Sequence, residues 1–232
     1  ILNQSSIFLI DIKGNIVKHH WHEEVELLYF SGGEFCLEVN MERFHISEEC
    51  FYFINPGELH SINVEKNGGC VENAVVFHMD MLNSSYSLDQ IQTNLIQPVQ
   101  NGSIQFPRCL RKDEPAFEQV RTAYEEIQNA FSGSAYRGDY YDGEAVTDDI
   151  TRQLFIKSAL LRILAVLSAN NLFEVTEKNH DRWIETIKTT LTYIQENYKE
   201  KIYIRDLAGL IGMNEQYFCR FFKKVIGRSP ME

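Results

Sequence analysis

What most narrows the fold of this chain is a change of hydrophobic period near Pro115. From Ser6 to about Met79 the apolar residues, chiefly Val, Ile, Phe and Tyr, fall in short runs: SIFLID, VELLYF, FCLEV, ERFHI, CFYFIN, HSINVE and VENAVVFHM. Runs of this length and composition read as strands. Gly or Asn punctuates nearly every gap. SGGE (Ser31 to Glu34) and NPGE (Asn55 to Glu58) are turn sequences, and VNMERF around Asn40 predicts a tight hairpin connection. Strands in this number, with no helical pattern between them, predict an antiparallel sandwich or barrel.

Beyond Pro115 the period becomes that of a helix. In AFEQVRTAYEEIQNAF, Phe117, Val120, Tyr124, Ile127 and Phe131 share one face. SGSAYRGDYYDGE (Ser132 to Glu144) reads as a loop. Asp148 or Asp149 then caps DITRQLFIKSALLRILAVLSANN, a helix apolar over much of its circumference. Such a helix needs cover on several sides, from the sheet on one and a second copy of the protein on the other. EVTEKNHDR (Glu174 to Arg182) is polar and without period, so it is placed as a linker. A further helix follows, with Trp183, Ile187, Leu191 and Ile194 in line. The expected class is α+β: an antiparallel β barrel over residues 1–112, a helical dimerisation region over 113–173, a linker over 174–182 and an all-α unit over 183–232.

The chain has 232 residues, 44% hydrophobic and 24% charged, enough for two domains with buried cores. Its formal net charge of -11 argues against coating nucleic acid or an anionic membrane along the whole length, so any such contact is local. Five cysteines with no CxxC pair suggest neither a disulfide framework nor a zinc ribbon and fit a reducing cytoplasm. No segment approaches the roughly 18 apolar residues of a membrane span.

The C-terminal stretch YIRDLAGLIGMNEQYFCRFFKKVIG, from Tyr203 to Gly227, reads as two short helices around a turn at Gly212 and Met213, with Asn214 capping the second. Phe218, Phe222 and Val225 face inward. Glu215, Gln216, Cys219, Arg220, Lys223 and Lys224 face outward, and Arg220, Lys223, Lys224 and Arg228 make a basic cluster in an acidic chain. Arg reads guanine bidentately and Lys neutralises phosphate, so this helix suits a DNA major groove. A plain helical hairpin with solvated charges has the same spacing.

The string resembles the first helix-turn-helix of the AraC/XylS family of bacterial transcription regulators. It carries I-x-x-N-Y at Ile194 to Tyr198, L-A at Leu207 and Ala208, and Y-F-x-R-x-F-K-K-x-x-G-x-S-P from Tyr217 to Pro230. Where the family usually has Ser at the cap, this sequence has Asn214. The resemblance implies that Gln216, Cys219 and Arg220 read bases and that Lys223 and Lys224 lie near the backbone. It also implies a second helix-turn-helix beyond the SP. With Ile1 in first place and GRSPME last, the sequence reads as a fragment expected to bind operator DNA weakly.

Near the start, Gly14, His20, His22, Glu26 and Gly33 reproduce the spacing G-x5-H-x-H-x3-E-x6-G, the first motif of the cupin superfamily. The second motif is imperfect: Pro56, Gly57, His60 and Asn63 are present, but Pro56 and Asn63 each sit one residue too close to His60. By resemblance, His20, His22, Glu26 and His60 converge inside a jelly-roll barrel. Three imidazoles and a carboxylate suit a divalent transition metal. A hydrogen-bonded network and direct binding of a polar effector remain alternatives. Trp21, Tyr29, Phe51 and Phe53 are candidates for a pocket wall, and aromatic faces beside carboxylates suggest a carbohydrate.

The function expected is that of a cytoplasmic, dimeric, non-enzymatic transcription regulator, controlled by a small-molecule effector in the barrel. Its partner is operator DNA, with RNA polymerase a possible further one and no membrane. The alternative is a metal-dependent cupin enzyme using the His/Glu cluster.

Overall fold

Residues 7–10, 17–71, 74–86, 89–131, 149–176 and 182–231 are described by a computed structural model. In chain order the first strands are β1 (Ile7–Ile10), β2 (Val17–His20), β3 (Val25–Val39), β4 (Glu42–Ile46), β5 (Cys50–Ile54), β6 (His60–Val71) and β7 (Ala74–Phe77). A 3-10 turn (Met79–Leu82), a π-helix (Gln92–Ile96) and α1 (Gln97–Gln100) lead to β8 (Ile104–Gln105) and β9 (Cys109–Arg111). Then come α2 (Phe117–Phe131), α3 (Ile150–Ala169), β10 (Glu174–Val175), α4 (Arg182–Asn197), α5 (Ile204–Leu210) and α6 (Glu215–Ile226).

The long strand β3 is the spine of an eight-stranded antiparallel sheet. Its first half pairs with β5 and β7 and its second half with β4 and β6, and β2 in turn pairs with β6. The SGGE segment, expected as a turn between two strands, is instead a stretch of register shifts inside β3 between Phe30 and Phe35, with Gly33 at φ 103°. Glycine admits that backbone, so the strand bends and continues. The expected hairpin at Asn40 does form, with Asn40 and Met41 at φ 49° and 69°, as does the turn at Gly57, φ 76°. The segment after Leu82 contains the π-helix and α1.

Alternation along β3 separates two cores. Leu28, Phe30, Phe35 and Leu37 join Tyr52, Ile54, Ile62 and Val76 on the face enclosed by the curled sheet. Leu27 and Tyr29 join Phe51, Phe53, Val75 and Phe77 on the opposite face, against Phe117, Val120, Tyr124 and Ile127 of α2 and Ile156, Leu160, Ile163 and Leu167 of α3. Full burial of each such side chain is worth about 1.5–3 kcal/mol, so these two layers dominate the stability of the N-terminal unit. Helix α3 starts at Asp149, whose carboxylate accepts from the Thr151 amide at 2.8 Å. Its covered face leaves Ile150, Leu154, Phe155 and Leu161 exposed.

Part of the expected linker is structured. Glu174 and Val175 pair with Gln105 and Ile104, and the Thr176 hydroxyl donates to the Gly102 carbonyl at 2.7 Å. The Ser132 to Glu144 loop and Gly14 lie outside the described residues.

In the C-terminal unit, Ile187, Leu207, Ala208, Phe218, Phe222 and Val225 form a third buried cluster. Gly212 (φ 67°) makes the turn between α5 and α6, and Asn214 caps α6 by accepting from the Tyr217 amide at 2.9 Å. Trp183, expected in line with the core of α4, is 43% exposed and leans on Phe221, ring centroids 5.2 Å apart.

Candidate functional site

Three connections bring the imidazoles and carboxylate together. β2 ends at His20, which stands opposite His60 at the start of β6. The link from β2 to β3 carries His22. Glu26 lies on the enclosed face of β3, in parity with Leu28 and Phe30. All four residues meet, with one ligand atom from each lying within 4.8 Å of the others. Glu26 and His60 are buried, and His20 and His22 partly so. The His20 and His60 rings approach to 4.1 Å between centroids.

The hydrogen bonds set how the rings present themselves. Nδ1 of His20 lies 2.9 Å from the Lys18 carbonyl, Nδ1 of His22 lies 3.1 Å from the Glu24 carbonyl, and Nδ1 of His60 lies 2.9 Å from the Glu58 carbonyl. A carbonyl only accepts, so in each ring Nδ1 carries the hydrogen and Nε2 is left to the interior. Nε2 of His22 and of His60 sit 3.2 and 2.9 Å from the same oxygen of Glu26. An unprotonated Nε2 facing a carboxylate oxygen needs a positive charge between or upon the pair: a proton or a metal cation.

Titration behaviour agrees with that reading. Burial by itself would raise the Glu26 carboxyl, but the hydrogen bonds of His22 and His60 overcome it and hold the group well below the usual carboxylate range. His22 is likewise opposed by burial yet raised by its bond to Glu26. His20 is pushed down to about 4, by burial first and by His60 next, and so stays neutral and available as a donor. Three imidazole nitrogens fixed by backbone carbonyls, plus one ionised carboxylate, fit a divalent first-row transition metal.

The expected pocket wall is corrected. Tyr29, Phe51 and Phe53 stand on the opposite face of the sheet from Glu26 and are used in the core. Tyr29 stacks on Phe51 at 4.7 Å, Phe51 meets Phe117 at 5.3 Å, and Phe53 stacks on Phe106 at 5.3 Å. The cause is parity: odd positions of β5 and of β3 before its bend face the helices. Those three rings are covered and offer no stacking face to an effector. Trp21 is also outside the barrel. It lines a cleft of about 580 Å³ between the barrel and the helical unit, with Glu23, Pro56 and Gly57 on one side and Glu185, Lys188, Tyr193 and Glu196 on the other. The Lys188 ammonium lies 5.2 Å from the Trp21 ring centre.

On α6, Glu215, Gln216, Arg220, Lys223 and Lys224 are exposed as expected, along one edge of the helix. Cys219 is not fully so: it is partly buried and packs on the Phe218 cluster, because it lies one position after Phe218 at the border of the helix's inner face. Sequence reasoning missed the docking residues Leu59 and Lys188 and the carbonyls of Lys18, Glu24 and Glu58. Leu59 follows a turn and precedes a motif histidine, which marks a constrained position. Nothing in a sequence marks a carbonyl as a partner.

Residues 11–148 match a family model described as the AraC-like ligand binding domain. Residues 194–232 match one described as bacterial regulatory helix-turn-helix proteins, AraC family. The chain is 23% identical over 224 residues to the uncharacterized HTH-type transcriptional regulator YdeC of Bacillus subtilis (strain 168), covering 91% of this chain and 67% of that protein. Among solved structures, ToxT of Vibrio cholerae with a bound unsaturated fatty acid is 13% identical, over 98% of this chain and 94% of that one, with a TM-score of 0.38. A predicted oxalate decarboxylase of Thermotoga maritima is 26% identical, over 33% of this chain and 69% of that one, with a TM-score of 0.27.

Proposed function

Because the chain belongs to the AraC family of bacterial helix-turn-helix regulators, we propose that it reads operator DNA with α6 and answers to an effector held by its barrel domain, as a homodimer. The observation that carries the reading is the pairing of two features in one chain: an exposed helix edge bearing Gln216, Arg220, Lys223 and Lys224, and a convergent polar cluster in the unit on which that helix bundle is docked. In this reading Arg220 and Gln216 meet base edges and the lysines meet phosphates.

Dimerisation is assigned to α3. Ile150, Leu154 and Leu161 lie in line along one face of the helix with Phe155 to its side, their exposures being 74, 62, 44 and 59%, and a second copy would cover them. The working place is the cytoplasm, with RNA polymerase at the same promoter. Selection of bound sequences from a random duplex pool, followed by affinity measurement at two salt concentrations, tests the reading. Recovery of a recurring site supports it, and no enrichment over bulk DNA overturns it.

A metal-dependent enzyme is the second reading, favoured by the same four residues. It requires turnover of a small substrate by the metal-loaded protein.

A further inference from the structure

We propose that the effector is itself a divalent transition-metal ion held by His20, His22, Glu26 and His60, and that its presence is read by α4, α5 and α6 through the two loops that carry those ligands. This deepens, and rests on, the regulator reading above.

The loops are shared property of both units. Trp21 lies between His20 and His22, and Leu59 immediately precedes His60. The histidines turn toward Glu26, while their neighbours turn the other way into the helical unit. Leu59 is 2% exposed and belongs to the same apolar cluster as Ile187, Leu207, Phe218 and Phe222. Trp21 packs on that cluster and takes the Lys188 ammonium over its ring. Gly57 lies so near Lys188 that a Cβ there would stand 3.3 Å from its Nζ. The core of the DNA-binding unit is thus completed by residues adjacent to the ligands.

The same loops are tied to one another and to the barrel. The Gly57 amide donates to the His22 carbonyl at 2.7 Å. Glu58, whose carbonyl fixes the His60 ring, accepts from the Asn55 amide at 2.8 Å and from Arg108 at 2.7 Å. The Leu59 amide donates to the Asn40 side chain at 3.1 Å. No long slack segment separates ligand from docking residue: one peptide unit joins His60 to Leu59, and one joins His22 to Trp21.

Docking of the helical unit and assembly of the cluster therefore draw on one loop geometry. In the docked arrangement the four donors are already converged and their rings oriented. A metal ion that binds this arrangement more tightly than a loosened one stabilises docking. By linkage, docking raises metal affinity by the same factor. The position of α6 relative to the barrel, and hence of two α6 helices in a dimer, is what the metal then fixes.

The test uses zinc alone as ligand, with cobalt as a spectroscopic check on the donor set. Calorimetry on the whole chain is expected to give one zinc per protomer, and His22→Ala to remove it. Zinc is expected to slow amide hydrogen exchange in α4 and α5 of the wild type and not of His22→Ala. Lys188→Glu, which adds a fourth carboxylate beside Glu23, Glu185 and Glu196 and never touches the cluster, is expected to weaken zinc binding about 5- to 150-fold, the usual span of coupling between sites. Lys188→Gln, a milder change, is expected to move affinity in the same direction. Equal zinc affinity in the wild type and both variants, with α4 exchange accelerated in the variants, overturns the coupling. Absence of zinc and cobalt binding overturns the metal as effector. The regulator reading stands or falls separately, on DNA selection without added metal.

Discussion

Leu59 and Phe218 share one apolar cluster although they belong to different units, and the residue after Leu59 places its Nε2 2.9 Å from Glu26. Leu59→Ala opens a cavity in that cluster without touching a ligand. Such a truncation in a packed core costs about 2–5 kcal/mol. Here the loss is expected to appear first as release of the helical unit, so hydrogen exchange in α5 and α6 accelerates while the interior of β3 stays protected. Uniform acceleration across both units would show that Leu59 supports the whole fold rather than the junction.

The cluster makes the metal-free protein respond to pH with opposing signs. His22 has a folded pKa raised above its ordinary 6.5, so its contribution is full below 6.5 and is lost as pH rises through the raised value. Glu26 is depressed from 4.5, so its contribution is present above 4.5 and is lost as pH falls further. His20, held down to about 4, stays neutral when folded and takes a proton when unfolded, which costs stability as pH drops from 6.5 toward 4. His19, lowered by burial though partly offset by Glu38, acts in the same direction as His20. Urea denaturation in chelator across pH 4 to 9, values chosen to bracket about two units around the ordinary His pKa, is expected to show a decline on the alkaline side. His22→Gln is expected to flatten that limb and leave the acid limb in place.

How much of this was legible from the sequence depends on what kind of signal each part leaves. The His20, His22, Glu26 and His60 cluster was legible because those residues fall at the spacing of the cupin motifs, which the resemblance carries over even though His22 lies on a loop. The α5–α6 turn was legible because Gly212 at positive φ and the Asn214 cap are local chemistry. The pocket wall was not. Choosing between Tyr29 and Phe30, or Phe51 and Tyr52, requires knowing which face of the sheet the helices cover, and both faces of β3 and β5 are apolar. Where both faces are buried, alternation carries no sign. The bend at Gly32 and Gly33 was misread for a related reason: glycine pairs mark turns and bulges alike. The docking of Leu59 depends on tertiary contact alone.

The dimer assignment separates two leucines that the sequence treats alike. Leu161 is 44% exposed on the open side of α3, whereas Leu164 is 3% exposed against the inner layer. Leu161→Glu is expected to leave the fold intact and shift sedimentation from dimer to monomer. Leu164→Glu buries an unpaired carboxylate and is expected to unfold the N-terminal unit. If Leu161→Glu sediments as the wild type does, the surface of Ile150, Leu154, Phe155 and Leu161 is not the dimer contact.

On α6 the exposed residues separate by the kind of contact they make. Arg220 projects from the middle of the helix and Lys223 from its last turn, both exposed. Arg220→Ala is expected to cost about 1–3 kcal/mol on the selected site and to relax the base preference at one position. Lys223→Ala is expected to weaken binding to selected and unrelated duplexes alike and to lower the slope of log affinity against log salt by about 1. Cys219→Ser changes a side chain that packs partly on the Phe218 cluster, so its effect should fall on stability more than on sequence preference. Fluorescence anisotropy on the selected duplex and a scrambled one, at several salt concentrations, distinguishes the three. A Cys219→Ser variant of wild-type stability whose base preference shifts as far as that of Arg220→Ala would mean that α6 rotates to expose Cys219 when it enters the groove.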